Sequence, residues 1–249
     1  MRRLGMLDDE QRARHLSVYL SRLGIENTVR RYHDDFEIWV QDDRLDEAVG
    51  YLEQYRRRPP RASPQTISQV GPQPLTLGLM MVCVAVYLLS LTPFRNHILL
   101  AFFLYPEAVV EGQWWRLITP VLLHFNVLHI VFNMLWLYLL GKVIEYRESA
   151  WLLAVLVLSI GIGSNYAQWY MAGPNFGGMS GVIYGLLGYI WMCSWRDPGS
   201  GYYVENGVVT MMLAWLVICF TGLVGPVANT AHVSGLLLGV IWGLLPRRI

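Results

Sequence analysis

Charge is what this sequence has least of. Only 15% of its 249 residues are charged against 54% hydrophobic, where a soluble domain carries roughly 25% charged residues. The deficit, with a mean hydropathy of +0.36, argues against an ordinary soluble fold and for a lipid environment. A net charge of +1 leaves no basic footprint for nucleic acid. Cysteine is scarce too: Cys83, Cys193 and Cys219 all lie in apolar runs without CxxC spacing, so they read as buried free thiols and neither a disulfide framework nor a zinc ribbon is expected. No cleavable signal peptide is visible in the polar, mixed-charge first 70 residues, so the first spanning helix is expected to direct insertion as well.

What charge there is lies mostly in residues 1–58, which read as a small α+β domain. Leu16, Leu20 and Leu23 recur at helical spacing within a helix over Asp8 to Leu23. Thr28–Tyr32 and Phe36–Gln41 are strand-like, with Phe36, Ile38 and Val40 alternating with Glu37 and Trp39, and His33-Asp34-Asp35 suits the turn between them. Asp42 or Asp43 can cap a second helix with an apolar face of Leu45, Ala48, Val49 and Leu52. The order expected is helix, strand, strand, helix, with His15 and His33 solvated. Residues 59–74 form a linker that opens with the basic cluster Arg56-Arg57-Arg58-Pro59-Pro60-Arg61. Positive charge just before an apolar run places this domain in the cytoplasm.

Residues 75–249 hold apolar runs at Leu75–Leu91, Val127–Tyr146, Trp151–Tyr170, Gly181–Trp195, Val208–Leu223 and Val233–Leu245. A span needs about 20 residues; two of these runs are clean and the others reach that length only with small polar neighbours, and six spans return the C-terminus to the cytoplasm. Arg147, Arg196 and Arg247-Arg248 fall on that side, while the turns at Gly173-Pro174 and Gly225-Pro226 carry no Lys or Arg. Thr92 to Thr119 is too long for a turn and too short in its apolar part to cross. It reads as a structured interfacial loop whose Arg116 hydrogen-bonds loop carbonyls, against the simpler reading of Trp114 and Trp115 as a lipid-anchoring belt.

Polar side chains inside such runs are costly and are functional candidates. Phe176-Gly177-Gly178-Met179-Ser180-Gly181 is a small-residue turn entering the fourth run, and its serine reads either as a helix-packing hydroxyl or as a nucleophile presented by a tight turn. His129 and Asn133, four apart in the second run, share a face below His124. Tyr184 is four residues beyond Ser180, and His232 opens the sixth run. Gly181, Gly185 and Gly188 on one helix, with Gly235 and Gly239 on the other, permit the close approach that brings Ser180 to His232. A serine hydroxyl needs an adjacent base, and a buried neutral imidazole supplies one. The Ser180 N–H, His129 and the Asn133 amide can converge on an oxyanion. The third, fifth and sixth runs contain no Asp or Glu, so a dyad with Tyr184 under the imidazole is expected rather than a triad. HExxH and paired intramembrane aspartates are absent, so no metal or cofactor is expected.

Trp115-Arg116, the His124–Asn133 stretch, Gly178-Met179-Ser180-Gly181-Val182-Ile183-Tyr184 and Ala231-His232-Val233-Ser234-Gly235-Leu236-Leu237-Leu238-Gly239 resemble the rhomboid intramembrane serine proteases, and the resemblance covers the whole chain. It implies an all-α polytopic bundle of six transmembrane helices in a bacterial inner membrane. It also implies Ser180 as nucleophile, His232 as base, His129 and Asn133 as oxyanion donors, and an interfacial loop half-buried in the outer leaflet. By the same analogy Phe132 and Trp215 flank a lateral gate for transmembrane protein substrates. Pro120, where the family often has a polar residue or a further His, and Lys142, in place of the second Gly of a Gly-Gly pair, depart from the pattern. A non-catalytic relative that binds and delivers unstable spans is the alternative; a transporter would need polar paths that the third and fifth runs do not offer.

Overall fold

Capping and apolar spacing set the first elements of the chain. In the computed structural model, which describes residues 1–57, 71–196, 202 and 206–245, Asp9 accepts the Arg12 N–H at 2.8 Å and starts α1 (Glu10–Arg22). Strands β2 (Asn27–Tyr32) and β3 (Asp35–Val40) form a hairpin with His33 at φ 55° in its turn, and α2 spans Leu45–Arg57. A strand that the alternation does not predict, β1 (Arg2–Leu7), pairs antiparallel with β3 to give the order β1-β3-β2. Its register shifts between Arg3 and Gly5, and this irregularity breaks the period of two by which strands are recognised. The unit therefore runs strand, helix, strand, strand, helix. Its core is Leu16, Leu20, Ile38, Val40, Ala48 and Leu52.

Other local expectations shift as well. Val49 is 37% exposed rather than part of the apolar face. Asp42–Arg44 forms a 3-10 turn ahead of α2, and Asp42 pairs with Arg2 at 2.6 Å. His15 is not simply solvated, because its ring packs 5.8 Å from that of Tyr55. Glu37 is buried on the central strand, and the hydrogen bond from Arg3 at 3.1 Å holds its carboxyl below the usual carboxylate range.

By Cα proximity the chain divides into two compact units, residues 1–69 with 194–203 and residues 70–193 with 204–249. The apolar part contains α3 (Pro74–Ser90), α4 (Arg95–Phe102), α5 (Pro106–Val110), α6 (Val127–Arg147), α7 (Ala150–Ala172), α8 (Ser180–Arg196), α9 (Asn206–Phe220) and α10 (Asn229–Leu244). Each expected apolar run falls on one of these helices, but their lengths differ. Among the described residues α6 and α7 are long and apolar enough to cross a membrane, whereas α3, most of α9 and α10 are shorter apolar helices. The 17 residues of α8 reach about 26 Å at 1.5 Å per residue, a little less than a hydrocarbon core of about 30 Å. Much of the linker, and Arg247-Arg248, lie outside the described residues.

The segment from Thr92 to Thr119 is built rather than loose. It holds α4, α5 and a 3-10 turn at Trp114–Leu117, with a second 3-10 turn at Thr119–Leu122. The buried Arg116 guanidinium donates to the Leu100 and Phe103 carbonyls and to Gln113. At the other end of the bundle Glu145 accepts the Leu75 and Thr76 N–H groups and the Thr76 hydroxyl, each at 2.8 Å, capping α3 from a neighbouring helix. Lys142 lies buried with its ammonium 4.6 Å from the Tyr138 ring centre. Every residue from Gly181 to Ile190 is buried, which makes α8 the enclosed helix of the unit.

Candidate active site

Ser180 is the first residue of α8, delivered by a turn that only glycine can make. Gly178 adopts φ 126°, in the region that excludes most side chains. Its N–H donates to the Pro120 carbonyl at 3.0 Å, while the Ile183 N–H bonds to Met179 O to begin the helix. On α10, His232 is 4% exposed and its Nε2 lies 2.7 Å from Ser180 Oγ. The two helices come this close because their glycines leave no side chain between them. A Cβ on Gly235 or Gly239 would run into the carbonyl of Gly181 or Gly185 respectively, and one on Gly188 would lie 2.6 Å from Leu236 O.

The imidazole is held from below. The Tyr184 ring packs at 4.9 Å from that of His232, tilted by 38°, and its hydroxyl donates to Met212 O at 3.0 Å. The buried Nδ1 of His232 has no hydrogen-bond partner among the described residues. No group of three or more metal-ligating side chains occurs among the described residues.

On the other side of the serine, His129 lies against the turn: a Cβ on Gly178 would sit 2.6 Å from His129 Nε2 and 3.7 Å from Ser180 Oγ. The His129 backbone N–H is capped by Asn126 at 2.8 Å, and its ring is flanked by Phe125 and by the buried His124, 5.0 Å away. Asn133 is placed differently from the simple convergence expected. Its Nδ2 donates to His129 O at 2.7 Å along its own helix, so one of its two N–H groups is committed and only the second is left for an oxyanion. Phe132 on α6 and Trp215 on α9 are each half-exposed apolar side chains.

Sequence reasoning passed over the polar stripe of α7. Ser164, Asn165 and Gln168 are buried there in a run that reads as apolar overall. Gln168 Oε1 accepts the Ala231 N–H at 3.0 Å, satisfying the first turn of the helix that carries His232. Ser164 sits where a Cβ on Gly181 would touch its hydroxyl at 2.9 Å. Asn165 donates to Leu117 O at 2.9 Å. The signal that could have found them is their spacing of one, three and four residues, one helix face within a hydrophobic run.

Residues 111–249 match the family described as Rhomboid domain. Among known proteins, Rhomboid protease GlpG of Enterobacter sp. (strain 638) is 39% identical over 168 residues, a stretch that is 67% of this chain and 61% of that protein. Rhomboid protease GlpG of Salmonella newport (strain SL254) is 32% identical over 246 residues, 89% of this chain and 88% of the relative. The Salmonella paratyphi A protein of the same name is 31% identical over 250 residues, again 89% and 88%.

Proposed function

The chain belongs to the rhomboid family, and from that premise we propose that it is an intramembrane serine endopeptidase. On this reading it cuts peptide bonds in or near transmembrane segments of other membrane proteins with a Ser180–His232 dyad. The observation that carries the reading is the 2.7 Å contact between Ser180 Oγ and the buried His232 Nε2, made between two helices. In the proposed reaction the Ser180 oxygen attacks the scissile carbonyl carbon while its proton passes to His232 Nε2. His232 then gives that proton to the leaving amine, and an acyl-serine remains. Water, giving a proton to the same imidazole, attacks the ester carbon, and as the resulting tetrahedral intermediate collapses the C–Oγ bond breaks, His232 returns the proton to Ser180 Oγ and the carboxylic acid leaves. The oxyanion of both tetrahedral intermediates is met by the Ser180 N–H at the start of α8, by His129 and by the free N–H of Asn133.

The same reading sets the chain in a bacterial inner membrane as six spans. Residues 1–58 form a cytoplasmic domain, 59–74 a linker and 75–249 the protease domain, with both termini in the cytoplasm. Segment 92–119 lies half-sunk in the outer leaflet, and substrate enters between α6 and α9 past Phe132 and Trp215. Gly178, Gly181, Gly235, Gly239 and Tyr184 hold the dyad in place, and no metal or cofactor takes part.

The test is cleavage of a single-span substrate in proteoliposomes, together with covalent labelling of the purified protein by a fluorophosphonate. Ser180→Ala and His232→Ala are each expected to abolish both signals while keeping the melting temperature. His129→Ala and Asn133→Ala should lower turnover less completely, since other donors remain, with about 10²–10³-fold the expected loss for one donor. Wild-type protein that neither cuts nor labels would sink the reading.

A further inference from the structure

The turn that presents Ser180 is anchored by the buried side chains of Phe176 and Met179, but the two glycines between them rest on a neighbouring segment. Gly178 is tied across to Pro120 O at 3.0 Å. Gly177 rests on the same segment, where an added Cβ would lie 2.7 Å from Leu123 Cβ and 3.1 Å from Pro120 O. The height of residues 117–123 therefore sets the height of Gly178, and with it the spacing between the Ser180 N–H and the His129 ring.

That segment is in turn fastened to α7 at two points one helical turn apart. Ile118 fills the notch at Gly161, where an added Cβ would collide with it and lie 3.3 Å from Val121 Cγ1. Four residues later Asn165, 3% exposed, donates its amide N–H to Leu117 O at 2.9 Å. A buried amide in an apolar helix is expensive, and this one spends a donor on a loop carbonyl. On the opposite side the segment is joined to its own loop by Thr119 Oγ1, which donates to Phe102 O at 2.9 Å.

We infer that Asn165 is a positioning residue for the oxyanion end of the site, acting through Leu117 O and residues 117–120 on the Pro120–Gly178 hydrogen bond. It touches neither substrate nor dyad. The inference rests on Ser180 being the nucleophile. Loss of the anchor lets residues 117–120 ride up from α7 and carries Gly178 with them. Displacements of this size at a reacting centre cost turnover rather than ground-state binding.

The experiment compares the full-length wild type with Asn165→Leu, Gly161→Ala and Gly207→Ala in proteoliposomes. It measures kcat and KM on a single-span substrate, the rate of Ser180 phosphonylation by a fluorophosphonate, and the melting temperature. Asn165→Leu keeps the volume and removes the donor, while Gly161→Ala crowds Ile118 Cδ1 and Val121 Cγ1 of the same segment without touching the amide. In both, kcat and the phosphonylation rate are expected to fall about 10–100-fold with KM within about twofold. Gly207→Ala, where an added Cβ meets nothing within 4 Å, should stay within about threefold of wild type. The inference is overturned if both α7 variants phosphonylate at the wild-type rate. It is equally overturned if Gly207→Ala loses as much as they do, or if KM rises while kcat holds. A wild type that does not label fails the protease reading itself, a result separable from these. If Asn165→Leu does not fold, Gly161→Ala decides.

Discussion

A side chain on Gly178 would meet two obstacles at once. Its φ of 126° is a conformation that side chains other than hydrogen rarely adopt, and its Cβ would stand 2.6 Å from His129 Nε2. Backbone strain of this kind costs on the order of 1–3 kcal/mol, too little to unfold a bundle, but the ring must move. Gly178→Ala is expected to fold and to label with a fluorophosphonate about 10²–10³-fold more slowly, as for loss of an oxyanion donor. Gly207→Ala, where an added Cβ meets nothing within 4 Å, should label as wild type does. Residue identity carried much of this in advance. Ser180, His232, His129 and Asn133 stand out because a polar atom in an apolar run needs a reason. Asn165 and Gln168 satisfy the same rule, but no histidine shares their helix to mark them, and their partners, Leu117 O and the Ala231 N–H, come from distant parts of the chain.

At the scale of elements, the helices are held by groups borrowed from one another. The first turn of α3 leaves N–H groups without intrahelical partners, and Glu145 on α6 satisfies two of them with its two oxygens. A glutamine there keeps the size but has one acceptor oxygen and no charge. Glu145→Gln is therefore expected to lower stability by about 1–3 kcal/mol, read as a drop in melting temperature or in denaturant midpoint, while the folded fraction still labels at Ser180. Gln168 serves the same purpose for α10. Periodicity locates the helices that these groups join, since an apolar stretch of suitable length can form little else in lipid. Which carboxylate or amide caps which helix is set by packing between residues 63 to 70 apart in sequence, and no local pattern encodes it. For the same reason β1 escaped notice, since its place depends on pairing with β3 across a break in register.

For the whole molecule, the groups that touch Ser180, His232 or the turn before Ser180, from Pro120 on, belong to the second compact unit. Removal of residues 1–58 is accordingly expected to leave the phosphonylation rate of Ser180 within about twofold of the full chain; a tenfold loss would show that the N-terminal unit supports the site. The sequence by itself determined the membrane character, the concentration of charge toward the N-terminal end and the short set of polar side chains set in apolar runs, because each follows from the cost of putting polar groups in hydrocarbon. Only the tertiary structure decided that Ser180 and His232 lie 2.7 Å apart, that Asn133 gives one N–H to its own helix, and that the Gly178 N–H bonds to the carbonyl of Pro120. Those are distances between backbones on different helices, fixed by which glycines meet and which loop is pinned to α7, and contact across a bundle has no period along the chain from which to read it.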